Sequence, residues 1–303
     1  MNIINKLYDK LFIKQWNVGI AKNTFNSVLD IQIEKLDFKW LTINDLSTFL
    51  ADPFIYKKNG NHYIFYEKFN YFKNHGVIAL TILNNNFDVI YESDLLDSQH
   101  HLSYPFIFNH KDELFILPES SKGNDGNQYI YEFNFSNNTL HNKKLLIEYN
   151  RLLDGTLLFH DNKYWFFSTK RGKKSNSDLL IHYSKTFDFG YISHSSNPVK
   201  VSKKGTRPAG NFIIENGVIY RPAQNNGFYY GKSIILNKIE ILNESQFKET
   251  LVREFVSSKL KKYNFGIHTI NISDDVIVID GLRRIFNPLK KISMFLIARF
   301  KSS

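Results

Sequence analysis

One short unit returns five times along the chain: an apolar strand, a tight turn and an aromatic-rich strand. The copies are ADPFIYKKNGNHYIFYE from Ala51, SYPFIFNHKDELFILPE from Ser103, LDGTLLFHDNKYWFFST from Leu153, PAGNFIIENGVIYRPAQ from Pro208 and GIHTINISDDVIVIDG from Gly266. The turns fall at Asn59-Gly60, Lys111-Asp112, Asp161-Asn162, Asn216-Gly217 and Asp274-Asp275, so each unit reads as a β-hairpin. With Asp52, Tyr104, Asp154, Ala209 and Ile267 as equivalent positions, the turn follows about seven residues later in every copy, and the copies recur roughly every fifty to sixty residues. A period of that size, carrying about four strands, is the length of a propeller blade.

The rest of each period agrees. Strand-like runs follow the hairpins at Gly76–Leu83, Gln128–Phe135, Asp178–Tyr183 and Ser233–Leu236, with outer runs at Val89–Glu92 and Leu145–Tyr149. Aromatic residues make up 16% of the chain, as sheets packed face to face require. The expectation is an all-β, five-bladed β-propeller over about 16–285, in a single domain 1–303, with a basic amphipathic tail over about 286–303. Too few strands follow Gly281 to complete the last blade. Trp16–Ala21, with Leu29–Leu36 as a further contributor, is expected to complete it and tie both ends of the chain into one ring.

Met1–Gln15 alternates apolar and charged residues without a continuous apolar core, and no run approaches the roughly twenty apolar residues of a membrane span. A cytoplasmic location is the expectation, with peripheral contact at the inner face of a membrane as an extension. With no cysteine, the chain has neither disulfides nor thiolate metal sites.

The formal net charge is +10, gathered in clusters at Lys170-Arg171-Lys173-Lys174, Lys203-Lys204, Lys259-Lys261-Lys262, Arg283-Arg284 and Lys290-Lys291. Such a field favours anionic partners such as nucleotide diphosphates, phospholipid headgroups or acidic glycans, with a merely solvated surface as the alternative. No nucleic-acid motif accompanies the charge, so nucleic acid is not expected as a partner. In the tail, Leu289, Ile292, Leu296 and Phe300 are spaced for one helical face and Lys290, Lys291, Arg299 and Lys301 for the other, a pattern suited either to a membrane surface or to packing on the propeller.

In a propeller the start of the first strand and the end of the second emerge at the same face. Asp52 and Asp154 open inner strands, while Glu67, Glu119 and Asp280 stand at or near the ends of second strands. Carboxylates are costly in a core without partners, so these five acids mark one funnel as the candidate ligand site. Arg207, Arg221, Gln224 and His268 are the expected partners, with His268 as hydrogen-bond donor, proton carrier or cation ligand. Each acid also has a structural reading, as a strand terminator, a turn cap or half of an ion pair. Tyr104, Trp165, Phe228 and Tyr230 are candidates to stack on a sugar, or else to pack between blades. The pair His100-His101 is a weak metal signal without a third ligand, and no metal is assigned, a structural cation in the central channel remaining the one alternative. Ser120-Ser121, Lys122 and Gly123 read as an exposed loop and make no P-loop.

These residues carry a resemblance. The fivefold unit, with Ala51-Asp52-Pro53-Phe54 opening the first blade and an acid opening the third, resembles the five-bladed propeller glycosidases of the arabinanase and xylosidase group with their invertase and levansucrase relatives. The chain more closely resembles the N-terminal propeller of plant glucosamine inositolphosphorylceramide transferases and stand-alone bacterial proteins of that type. That match runs from Trp16-Asn17-Val18-Gly19-Ile20 through the Ala51–Phe54 run, Glu67, His101-Leu102-Ser103-Tyr104-Pro105, Pro118-Glu119-Ser120, Arg207-Pro208-Ala209-Gly210, Tyr220-Arg221-Pro222-Ala223-Gln224, Tyr230-Gly231 and Gly266-Ile267-His268 to Asp280-Gly281.

The glycosidase resemblance implies Asp52 as base or nucleophile and Asp154 as the residue that tunes the general acid. It also implies a glutamate at the opening of the fourth blade, where this chain has Arg207-Pro208-Ala209-Gly210. The plant proteins carry a separate glycosyltransferase domain after the propeller, and this sequence ends without one, so the propeller is expected either to be active itself or to work beside a separate enzyme. Three functions follow as expectations. The first is glycosyl transfer from an activated sugar donor, such as a sugar nucleotide, in cell-surface polysaccharide or glycolipid assembly. Here Asp52 activates the acceptor, Asp154 and Glu119 hold sugar hydroxyls or share a proton, and Arg207, Arg221 and His268 stabilise the leaving phosphate. Glycoside hydrolysis, with Glu67 or Glu119 as acid, is the second. Non-catalytic binding of an oligosaccharide or a membrane-bound glycan is the third. No cofactor is expected.

Overall fold

The computed structural model describes residues 11–300 apart from 121, 122, 124, 125, 149, 228 and 274, with the backbone alone for residues 295–300. Five antiparallel sheets form a five-bladed β-propeller. Blade one runs outward through Thr48–Lys58, Asn61–Asn70, His75–Leu83 and Val89–Leu96. Blade two is Ser103–His110, Glu113–Glu119, Gln128–Asn134 and Thr139–Ile147. In blade three, Leu152–His160, Lys163–Lys170 and Asp178–Ser184 are edged by the short pieces Ile192–Ser193 and Lys200–Val201. Blade four has a broken inner strand, Lys204–Pro208 and Ile213–Glu215, followed by Val218–Asn225, Ser233–Leu242 and Phe247–Val256.

The hairpin turns form for a local reason. Asn59 and Gly60 have φ of 50° and 77°, Lys111 and Asp112 of 49° and 67°, Asp161 and Asn162 of 49° and 57°, and Asn216 and Gly217 of 50° and 76°. Two successive positive φ values give the turn whose twist matches that of paired strands. The fifth turn includes Asp274, which lies outside the described residues.

Blade five closes the ring. Its inner strands Ile270–Ser273 and Val276–Phe286 come from the C-terminal part of the chain, and Phe12–Lys22 from the N-terminal part adds alongside, paired from Phe12↔Phe286 to Lys22↔Val276. The outermost strand is Lys39–Trp40, through Gly19↔Trp40. Leu29–Leu36 therefore does not supply a strand. It contains a short 3-10 turn at Ile33–Lys35, and Val28, Ile31 and Ile33 are buried against Phe255 and Leu260, so apolar spacing there serves packing rather than pairing. The outer strand of blade two likewise starts at Thr139, ahead of the expected Leu145.

Between blades the core is aromatic. Phe54, Phe65, Phe106, Phe115 and Phe166 are buried in one cluster joining blades one to three. Rings meet edge-on, Phe54 with Phe106 at 5.9 Å and Phe65 with Phe133 at 5.1 Å, and each buried ring contributes about 2 to 3 kcal/mol. The tail is helical over Pro288–Phe300, and among the described residues no helix is long and apolar enough to cross a membrane.

Candidate functional site

The same local device recurs at the start of three inner strands. Pairing with the second strand slips between Ala51 and Phe54, between Ser103 and Phe106, and between Leu153 and Thr156. Inside each slip stands a residue with left-handed backbone: Asp52 at φ 52°, Tyr104 at 43° and Asp154 at 52°. Such bulges bend a strand and re-aim a side chain, and here they turn equivalent residues of blades one and three toward the axis. Opposite the residue before each bulge, the second strand carries Glu67 facing Ala51 in blade one and Glu119 facing Ser103 in blade two. Four carboxyl groups that are far apart in sequence thus meet at one mouth.

A cavity of about 470 Å³ opens there, lined by Asp52, Glu67, Glu119, Arg207 and Tyr230 among the expected residues, and also by His101, Ser103, Leu153, Arg171, Gly172 and Ser175. Asp154 lies just behind it. Its carboxylate accepts two hydrogen bonds from Arg207, through Nε and through Nη2 at 3.0 Å, and one from Gln224 Nε2 at 3.2 Å. Nη2 of Arg207 also lies 3.7 Å from Glu119 Oε2, and the guanidinium carbon sits 5.6 Å from the Tyr230 ring centre. Arg207 is therefore spent on the protein's own acids, and burial does not discharge it, because Asp154 holds its pKa well above normal.

On the other side of the mouth, Asp52, His268 and Asp280 form a chain of contacts. Asp52 Oδ1 accepts from Thr269 Oγ1 at 2.7 Å and lies 3.2 Å from His268 Nε2, while His268 Nδ1 is 2.7 Å from Asp280 Oδ2. Asp280, fully buried, also accepts from the backbone N–H groups of His268 and Thr269 at 2.8 and 3.1 Å and of Asp52 at 3.2 Å. Burial works against charge on His268, but Asp280 and Asp52 outweigh it and raise its pKa. For Asp52 burial dominates over the attraction of His268, and its pKa rises to about 6. Burial, and then the nearby Asp52, Glu119 and Asp154, push Glu67 well above the ordinary carboxylate range. Burial and neighbouring acids thus raise the pKa of both carboxyl groups of the one cavity.

Asp52, His268 and Asp280 could offer one ligand atom each to a metal, all within 4.8 Å of one another; the contacts above already satisfy much of that capacity.

Other expected residues lie elsewhere. Arg221 is buried in blade four, donates to both oxygens of Glu249 at 2.8 and 2.7 Å and to the carbonyls of Thr206 and Gly205, and does not reach the cavity. A buried guanidinium needs such a partner set, so its role is structural. Tyr104 is fully buried: its hydroxyl is 3.0 Å from Thr156 Oγ1 and accepts from Gly210 N at 2.9 Å, joining blades two, three and four where no sugar can stack on it. Gly210 is required at that crossing, since a Cβ there would meet the Ile270 carbonyl oxygen at 2.0 Å. Trp165 is buried too, donating to the His160 carbonyl and packing on Tyr183. Of the loop expected to be exposed, Ser120 and Gly123 are buried, while Ser121 and Lys122, like Phe228, fall outside the described residues.

His101, 3.7 Å from Glu67 through Nε2, is the lining residue that sequence reasoning set aside as a weak metal signal. Its position just before the second hairpin was the available clue. Trp16, its ring tilted 50° against His268 at 4.2 Å and edge-on to Tyr230 at 6.4 Å, brings the N-terminal strand to the site as well.

Comparison with known proteins places this arrangement in a family. A profile described as "Glucosamine inositolphosphorylceramide transferase 1, N-terminal" matches residues 40–272. The chain belongs to that family. Curated relatives named glucosamine inositolphosphorylceramide transferase 1 include one from Oryza sativa subsp. indica, 31% identical over 72% of this chain and 30% of its own length, and one from Arabidopsis thaliana, 29% identical over 78% and 32%. The chain thus spans about a third of the length of these relatives. Among solved structures, the fold is similar to a thermostable family-43 glycoside hydrolase, with a TM-score of 0.52 at 16% identity over 67% of this chain and 76% of that one. An exo-β-1,3-galactanase from Clostridium thermocellum also has a TM-score of 0.52, at 8% identity over 77% and 59% of the two chains. At these identities the likeness is one of fold.

Proposed function

We propose that the funnel binds a carbohydrate and transfers a glycosyl group to an acceptor hydroxyl. The observation that carries the reading is a buried pair of unlike carboxyl groups lining one cavity: Asp52, with a pKa of about 6, as base, and Glu67, pushed well above the carboxylate range, as acid. Acid–base work at a glycosidic bond needs one carboxyl group of each kind. In the proposed step Asp52 takes the proton of the acceptor hydroxyl as its oxygen bonds to the anomeric carbon. The bond from that carbon to the departing oxygen breaks, and Glu67 supplies that oxygen with a proton. His268, held by Asp280, keeps Asp52 oriented, and Asp154 from behind the cavity fixes Arg207 beside Glu119, which lines the cavity as an acceptor for sugar hydroxyls.

The names of the relatives, which join glucosamine to a transferase, support a sugar as ligand. Of the arginines expected to face a leaving phosphate, Arg207 is engaged by Asp154, and Arg221 is paired with Glu249 outside the cavity. A glycoside whose leaving oxygen needs a proton suits Glu67 better. Hydrolysis is the second reading, favoured by the same pair of carboxyl groups when water takes the acceptor's place.

Kinetics with glycosides of good and poor leaving groups test the assignment. Glu67→Gln should lose turnover only where the leaving oxygen needs protonation, whereas Asp52→Asn should lose both, by about 10²-fold or more. Products formed with and without an acceptor sugar separate transfer from hydrolysis. Full turnover by Asp52→Asn sinks both readings.

A further inference from the structure

We propose that the funnel face docks on an anionic lipid surface, with Phe286, Leu289 and Ile292 as its apolar contact. The inference rests on which end of the propeller carries the charge, and it is independent of the reaction at the mouth. Inner strands of blades one to four start at the mouth and strands alternate in direction, so the connections between second and third strands, and those after fourth strands, return to the mouth face. Lys170, Arg171, Lys173 and Lys174 occupy such a connection after Lys163–Lys170. Lys203 and Lys204 stand at the opening of blade four, and Lys259, Lys261 and Lys262 follow its last strand, Phe247–Val256. Arg283 and Arg284 lie beyond the level of Asp280 on the strand Val276–Phe286, which runs toward the mouth. These basic clusters therefore share one end, whereas Lys57-Lys58 lies at the hairpin turn of blade one at the other, and the lysines of the loops after blades three and four are exposed.

The helix Pro288–Phe300 continues from that strand at the same end. Its lysines turn back onto the connection that follows Asn61–Asn70: Lys290 Nζ lies 4.7 Å from the Phe72 ring centre and 3.7 Å from Asp45, and Lys291 Nζ lies 5.7 Å from Tyr71. Leu289 and Ile292 point the other way, 82% and 53% exposed, with Phe286 at 64%. A helix that packs on a protein normally buries its apolar face. Here Met294 is buried while this apolar step is presented to solvent beside a basic surface, the combination by which interfacial segments engage anionic headgroups and the acyl boundary. Among the described residues no helix can span a bilayer, so the contact is a surface one. The face would bring the mouth against membrane-attached glycans.

Vesicle flotation with the full chain tests this. Vesicles of equimolar phosphatidylcholine and phosphatidylglycerol should bind it, phosphatidylcholine alone should not, and added salt should weaken binding. Lys173→Glu with Lys203→Glu should lower the partition at least about 25-fold, at roughly fivefold per lysine. The double variant Leu289→Ser, Ile292→Ser should lower it about tenfold or more. Lys185→Glu with Lys248→Glu changes the net charge equally at the opposite end and should leave binding unchanged, and all three variants should keep the parent melting temperature. An equal loss from the opposite-end pair would mean attraction by net charge alone and would overturn the proposal. So would binding indifferent to Leu289 and Ile292, or no binding to anionic vesicles, an outcome that would assign this face to an acidic protein partner.

Discussion

Replacing Asp52 by asparagine should stabilise the protein at neutral pH while abolishing its chemistry. The folded-state pKa of about 6, against 3.8 for a free aspartate, means that ionising Asp52 costs the folded state more than the unfolded one. At about 1.4 kcal/mol per pH unit the penalty is roughly 3 kcal/mol, and the attraction of His268 is already within that figure. The sign follows from proton counts. Between pH 3.8 and about 6 the folded chain holds more protons at this site than the unfolded chain, so stability falls as pH rises through that window and stays lower above it. Asparagine resembles the protonated form and tolerates the left-handed backbone at this bulge, φ 52°. Thermal denaturation should therefore place Asp52→Asn about 2 to 6 °C above the parent at neutral pH. The gap should close as pH falls below the 3.8 of a free aspartate. A variant less stable than the parent at neutral pH, or a gap that does not change with pH, would refute the claim that burial holds Asp52 in a costly ionised state.

Arg207→Met should cost about 3 to 5 kcal/mol by leaving Asp154 and Glu119 without their cation, and adding Asp154→Asn should recover a large part of it in denaturant titrations. Arg221→Met, which breaks the pair with Glu249, should lower stability on a similar scale yet leave turnover per folded molecule unchanged, because Arg221 does not reach the cavity. Deleting the first 22 residues removes the strand paired along Val276–Phe286, and the shortened chain should lose its cooperative unfolding transition in calorimetry.

The ring was legible because its signals are local. A strand, an Asn-Gly or Asp-Asn type turn and a second strand are specified within one stretch of sequence, and five copies at one period leave few alternatives. The acids Asp52, Glu67, Glu119 and Asp154 were legible for the same reason, as equivalent positions of a repeat. What the sequence concealed is long-range. Arg207 and Arg221 look alike as arginines near the fourth hairpin, and only folding shows that one meets Asp154 across the mouth while the other meets Glu249 within its own blade. Tyr104 holds the position equivalent to Asp52, yet its larger side chain fills the seam between blades, anchored by Gly210. Lys39–Trp40 is too short to leave a periodic signature, so Leu29–Leu36, with its better apolar spacing, was the wrong choice for the edge of blade five.

The most direct test of the account is a structure determined with an oligosaccharide bound. A sugar should occupy the cavity of about 470 Å³, with one hydroxyl oxygen within hydrogen-bonding distance of Asp52 and a glycosidic oxygen within reach of Glu67. A sugar seated on the outer edge of a blade, with the funnel left to solvent and neither acid in contact, would contradict it.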